Sequence, residues 1–217
     1  MNTSRSLPRR AAVTTAAPVV ATLVLVACGS DGSSSADTPT RTPSTSVPAS
    51  APAGRHNQAD VTFAQRMIPH HRQAIAMADM AEEHASSSQV KAFAREIQKE
   101  QKPEIQTMTI WLKAWGEQVP HGMEGMNHDN ASQMPGMMSD HDMRQMEDAS
   151  GNAFDTLFLT MMIKHHQGAI DMARTEKQQG AYGPGKKMAA GIVTTQTAEI
   201  DQMRTMLGTS SPTATSH

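Results

Sequence analysis

Apolar residues recur at three- and four-residue steps through two long stretches of the chain, and no stretch alternates in the manner of a strand. In the first, Phe63, Met67, Ala74, Met77/Ala78 and Ala81 form one stripe, which predicts a helix over about 60–84. The run Ala85-Ser86-Ser87-Ser88 breaks it and supplies a serine cap for the next helix. That helix is predicted over about 88–115, with Phe93, Ile97, Gln101, Ile105, Met108 and Leu112 on one face and Gly116 at its end. Pro103 falls inside this stripe and is expected to kink or split it, because proline removes a backbone donor. The second stretch predicts helices over about 153–178 and 186–207, with Gly180, Gly183, Pro184 and Gly185 as the break.

The two stretches are copies of one another. Phe63, Met67, Ile68, His70, His71, Ala74, Ile75, Met77 and Ala78 match Phe158, Met162, Ile163, His165, His166, Ala169, Ile170, Met172 and Ala173 without a gap. The same offset pairs Ile97 with Ile192, Gln101 with Gln196, Glu104 with Glu199, Ile105 with Ile200, Met108 with Met203 and Leu112 with Leu207. Duplication is the economical explanation. Neither helical hairpin can bury its stripe alone, so the expected fold is all-α, a four-helix bundle of two duplicated hairpins. Hairpin one is placed at 60–116 and hairpin two at 151–208, within a domain at 59–208. A long Met/His-rich loop, 117–150, joins them.

The chain ends read differently. Arg5, Arg9 and Arg10 precede an apolar run from Ala11 to Ala27, closed by Leu25-Val26-Ala27-Cys28. This is the layout of a signal peptide (1–27) with a lipobox-like end, and it predicts lipidation at Cys28. The Arg9-Arg10 pair leaves the export route, Sec or twin-arginine, open. Residues 28–58 are rich in Ser, Thr and Pro and cannot bury enough apolar surface to fold, so they are expected to tether the domain to a membrane. Residues 209–217 have the same character.

Net charge of -2 gives no electrostatic reason to expect nucleic acid as a partner. One cysteine excludes an internal disulfide and a thiolate cluster. What changes the picture is 18 methionines beside 10 histidines. Methionine inside a helix ordinarily fills a core, so spacing has to decide. Met67 lies three residues before His70 and four before His71, which puts thioether and imidazole on one helix face. Met77 follows two turns after His70, and Met80 and His84 continue along neighbouring positions. Met162, His165, His166 and Met172 repeat the arrangement. Adjacent histidines are not expected to point inward together; one of each pair should face the core and the other sit at its boundary. Di-iron bundles place Glu three residues before His, whereas both copies here place Met there. Thioethers favour Cu(I), and by the same softness Ag(I), over iron, manganese or zinc. Glu104 and Glu199 hold equivalent positions on the partner helices, either hydrogen-bonded to the histidines or simply solvated.

The connecting loop carries His121, Met123, Met126, His128, Met134, Met137 and Met138, then His141 and Met143. Methionines among Gly, Asn, Asp and Pro are expected to have no core to fill, so they are read as a flexible segment that wraps a soft ion. Met143 and Met146 can alternatively lead into the third long helix and pack there.

The paired "MIxHH…AIxMA" segments, the "MPGMM" linker and "EIQTMTIWLKAWG" resemble the bacterial domain-of-unknown-function 305 family, which includes CopM-type periplasmic copper-binding proteins. The resemblance spans residues 60–207. It implies a ferritin-like four-helix bundle, exported, with copper or silver bound by Met and His in at least some members. Met67, His70, His71, Met77, Met162, His165, His166 and Met172 match its motif. Pro103, and a second copy that lacks the two tryptophans of the first, depart from it. The expectation is a membrane-anchored, extracytoplasmic copper binder, with copper donor or acceptor proteins as partners, and no enzyme. A metal-dependent redox enzyme and an envelope interaction module without metal are the alternatives.

Overall fold

The computed structural model describes residues 54–121 and 134–210. Among them all regular structure is helical: α1 (Gln58–His84), α2 (Ser88–Trp115), α3 (Asp140–Glu147), α4 (Gly151–Gln179) and α5 (Gly183–Ser210). No helix among the described residues is long and apolar enough to cross a membrane. The Cys28 site and the leader, the tether before residue 54, Met123, Met126 and His128, and the tail from 211 lie outside the described residues.

Local chemistry sets the boundaries. Asn57 caps α1 by accepting from Ala59 N and Asp60 N, and Asp60 reciprocates in a capping box. Ser87 caps α2, whose end is Gly116 at φ 75°, a left-handed position suited to glycine. The predicted split at Pro103 does not occur, since α2 is one helix from Ser88 to Trp115. Buried Ile97, Gln101, Met108 and Leu112 hold it on both sides of the proline. Their packing offsets a missing hydrogen bond that costs about 3 kcal/mol in an isolated helix. Gly183 and Pro184, read as part of a break, form the first turn of α5, where a residue without an N–H leaves nothing unsatisfied. The 117–150 connection is not all loop: Ser139 and Asp142 form a capping box that starts α3.

The helices pack α1 on α2, α4 on α5 and α1 on α4. Two apolar clusters result, and the duplication exchanges them. Phe63, Met67, Met108 and Leu112 belong to one, while their repeat mates Phe158, Met162, Met203 and Leu207 belong to or pack against the other. Ile97 and Met77 lie in the second cluster, and Ile192 and Met172 in the first. The copies are thus related by a pseudo-twofold axis. It also sets two clasps. Asp155 accepts from Ser86 N (3.2 Å), Ser87 N (3.0 Å) and Ser86 Oγ (2.6 Å) at the turn of the other hairpin. Its repeat mate Asp60 accepts from Ala181 N (3.1 Å) and Tyr182 N (2.9 Å). Each hairpin therefore caps its partner's turn with a buried carboxylate. Beside the Asp60 clasp stands a second carboxyl, that of Glu176, which is 1% exposed.

Candidate metal centre

Between the apolar clusters lies a polar layer contributed by all four long helices: His70, His71 and Gln73 from α1, Gln101 and Glu104 from α2, His165 and His166 from α4, Gln196 and Glu199 from α5. The expectation that one histidine of each pair sits at the boundary is wrong. His70, His71 and His166 are fully buried and His165 is 1% exposed. The reason is that α1 and α4 each pack against two helices, so residues 100° apart on one helix can both be covered. His71 turns toward α2, where its Nε2 lies 2.7 Å from Glu104 Oε2. His166 turns toward α5, with Nε2 2.8 Å from Glu199 Oε2. The two glutamates are hydrogen-bonded to the histidines, one of the two roles open from sequence. His70 and His165 meet on the pseudo-twofold axis, ring centroids 3.7 Å apart.

Tautomers follow from the partners. His70 Nε2 donates to the Pro135 carbonyl at 3.1 Å, since a carbonyl can only accept. Burial, followed by the neighbouring His71, holds the His70 pKa down to about 3. Burial and then His70 hold His165 well below the usual histidine range. Both rings are therefore neutral near pH 7, and Nδ1 of His70 carries its lone pair. The Nδ1 atoms of His70, His71 and His166, and both ring nitrogens of His165, have no hydrogen-bond partner. Leaving a buried polar atom unpaired costs about 1–3 kcal/mol each, so their concentration in one layer asks for a ligand. Among the described residues no three His, Cys, Asp or Glu side chains converge to hold a metal. A site here needs sulfur as well, or few ligands.

Met67 and Met162 are fully buried one turn before the histidine pairs, and so is Met77; Met172 is 8% exposed. Each belongs to an apolar cluster, so these side chains pack in the core. Met80 is partly buried at the edge of the core. His84 stands apart from the layer, with Nδ1 2.9 Å from Ala149 O and its ring stacked on Phe154. His121 is exposed.

The reading of the linker as a flexible methionine segment needs correction for 134–138. Met134 and Met138 are each 6% exposed, and Met137 is half-buried. Met138 joins the core that Met146, fully buried on α3, also enters. A side-chain amide holds the segment down: Gln73 Nε2 donates to Met138 O (2.9 Å) and Met138 N to Gln73 Oε1 (2.8 Å). Gly168 makes the dock possible, because a Cβ there would stand 1.9 Å from Pro135 O. Gly136, at φ 78°, crosses the same spot. Gly168 is the repeat mate of Gln73, so the mismatch between the copies was the available signal, and sequence reasoning missed it. It also missed the Asp60/Asp155 pair, which the repeat offset aligns.

A third cluster joins the layer to solvent. Glu100, Gln101, Glu104, Ile192, Thr195, Gln196 and Glu199 line a cleft of about 230 Å³ between α2 and α5. Burial and the adjacent Glu199 raise the Glu100 pKa.

The fold and sequence have solved relatives. A DUF305 protein from Streptomyces coelicolor is 27% identical, with 73% of this chain and 98% of that one covered at a TM-score of 0.63. A DUF305 fragment from Deinococcus radiodurans is 30% identical, covering 70% and 97% at 0.63. CopM in its Cu(I)-bound form is 30% identical, covering 70% and 98% at 0.57, and it is also solved with Cu(II) and with silver. No curated protein matches the chain. Residues 60–207 match the sequence model of the domain of unknown function DUF305, and the chain belongs to that family.

Proposed function

We propose that the protein is an exported, lipid-anchored carrier of Cu(I), and of Ag(I) by the same chemistry. It would hold copper outside the cytoplasmic membrane for sequestration, resistance or hand-over to partner proteins. The observation that carries this reading is the set of buried, unpartnered imidazole nitrogens at the α1–α4 crossing. A carboxylate on Nε2 of His71 and of His166 orients each ring and leaves Nδ1 as the binding atom, the usual outer-shell arrangement of histidine ligands. His70 and His165 are held neutral, so no proton has to leave before they bind at neutral pH. Met67 and Met162 supply thioethers one turn away, and that softness selects Cu(I) and Ag(I). The Cu(I)- and silver-bound forms of CopM support the choice of ion.

The four long helices are read as a ferritin-like four-helix bundle, with the ion as cargo and not as a reaction centre. The Met123, Met126 and His128 segment is read as the uptake site, with the buried layer as the store. An extracytoplasmic location accords with the Streptomyces relative, described as a candidate secreted protein, and the lipobox-like end of the leader is what suggests Cys28 as the anchor. The test is an anaerobic Cu(I) titration of the full chain against a chromophoric chelator, with Zn(II) and Fe(II) as controls. Competition for Cu(I) alone is expected; equal or tighter Zn(II) binding would overturn the softness argument.

A further inference from the structure

The cleft between α2 and α5 lies on the pseudo-twofold axis, since Gln101 and Gln196 are repeat mates, as are Glu104 and Glu199, and each pair lines it from opposite sides. Three of its lining residues are glutamates and none is basic. Gln101 is 2% exposed with both amide atoms unpartnered, and Gln196 is 3% exposed with Oε1 unpartnered. Two buried glutamines that face an acidic space without partners imply an occupant that satisfies them. An anion is excluded by the carboxylates, and an apolar ligand would leave the amides unpaired.

Size and donor type narrow the choice. All the oxygens on offer are hard, and none of the cleft's lining residues carries sulfur or imidazole. The carboxylates do not converge on one point to bind an ion directly. The cleft's volume of about 230 Å³ has room for an ion together with a shell of waters. We propose that this cleft binds a hydrated hard divalent cation of the Mg²⁺ or Mn²⁺ class. Its water shell donates to Glu100, Glu104, Glu199 and the glutamine oxygens. Small divalent ions release water reluctantly, so a site built for the hydrated ion suits them. The cation takes neither methionine nor histidine as a ligand, although it shares Glu104 and Glu199 with the soft-metal layer, where they hold His71 and His166.

Mn²⁺ is a direct probe, since its unpaired electrons broaden nearby NMR signals. In a titration of the ¹⁵N-labelled full chain, saturable broadening is expected at the Gln101 and Gln196 side-chain amides and along adjacent turns of α2 and α5. Excess Mg²⁺ should reverse it. Glu100 lines the cleft beside Glu199 and holds no histidine itself, so Glu100→Gln should shift the Mn²⁺ midpoint about tenfold upward, as loss of one nearby charge implies, and change Cu(I) competition far less. Glu100→Gln keeps the side-chain shape, and an unaltered circular-dichroism melt would confirm that it folds. No saturable broadening at these amides, or a midpoint indifferent to Glu100→Gln, would overturn the proposal. Cu(I) binding without Mn²⁺ binding would overturn it while leaving the copper reading intact.

Discussion

Glu176 offers a quantitative test of how the hairpins are clasped. Its carboxyl is 1% exposed and apart from Asp60 has no hydrogen-bond partner. Asp60 accepts from Asn57 N at 2.6 Å as well as from Ala181 N and Tyr182 N, and is held below its usual pKa, so it stays ionised. Burial, then the hydrogen bond and charge of Asp60, push Glu176 up to about 8 from 4.5. The neutral acid donates to Asp60; the ionised form would set two carboxylates together out of water. A folded-state pKa raised above the unfolded value means that this contribution is complete below about 4.5, shrinks as pH rises, and is gone above about 8. The full shift corresponds to at most about 5 kcal/mol, and relaxation of the buried pair reduces it to about 2–4 kcal/mol. Glu176→Gln keeps a donor to Asp60 and cannot ionise. It should match the parent at pH 5 and exceed it at pH 9 by about 5–15 °C in melting temperature. Thermal melts of both proteins from pH 5 to 9 read this directly. Parallel curves, with the same offset at both ends, would refute the proton-sharing account.

Three further outcomes follow from the geometry. Gly168→Ala should eject the 134–138 segment, seen as loss of hydrogen-exchange protection at the Met138 amide; stability should fall by only about 1–2 kcal/mol, because freed chain entropy and better helix propensity offset the lost contacts. Asp155→Ala removes a carboxylate from two backbone N–H groups and a hydroxyl, and should cost about 2–4 kcal/mol by urea unfolding; under 1 kcal/mol would mean that the clasp is ornamental. Metal-free protein should lose stability below pH 6.5, the unfolded histidine value, as pH falls toward about 3, because His70 and His165 stay neutral when folded. In the Glu176→Gln background, which removes the larger opposing carboxyl contribution and leaves that of Glu100, the slope should be at most about 2.7 kcal/mol per pH unit; a flat response from pH 6.5 to 5 would contradict burial of neutral rings.

The helices were legible because Phe63, Met67, Ala74 and their repeat mates keep a helical period that only a helix can bury on one side. The repeat also brought out His70, His71, His165, His166, Glu104 and Glu199, which the fold places in one layer. Orientation was not legible. Whether His71 faces solvent depends on how many neighbours α1 has, which is tertiary information. Met134 and Met138 sit in a segment with loop composition, yet Gln73 and the gap at Gly168 draw it into the core. Nothing in "MPGMM" taken alone reports that dock. The break from the repeat, Gln73 against Gly168, did carry it.

X-ray absorption at the copper edge, on full chain loaded with one equivalent of Cu(I) under anaerobic conditions, tests the central claim most directly. The account predicts a first shell of imidazole nitrogen with thioether sulfur, and loss of the imidazole multiple-scattering features when His70, His71, His165 and His166 are replaced together in a protein that still folds. A shell of oxygen ligands, or a spectrum indifferent to those four replacements, would contradict it.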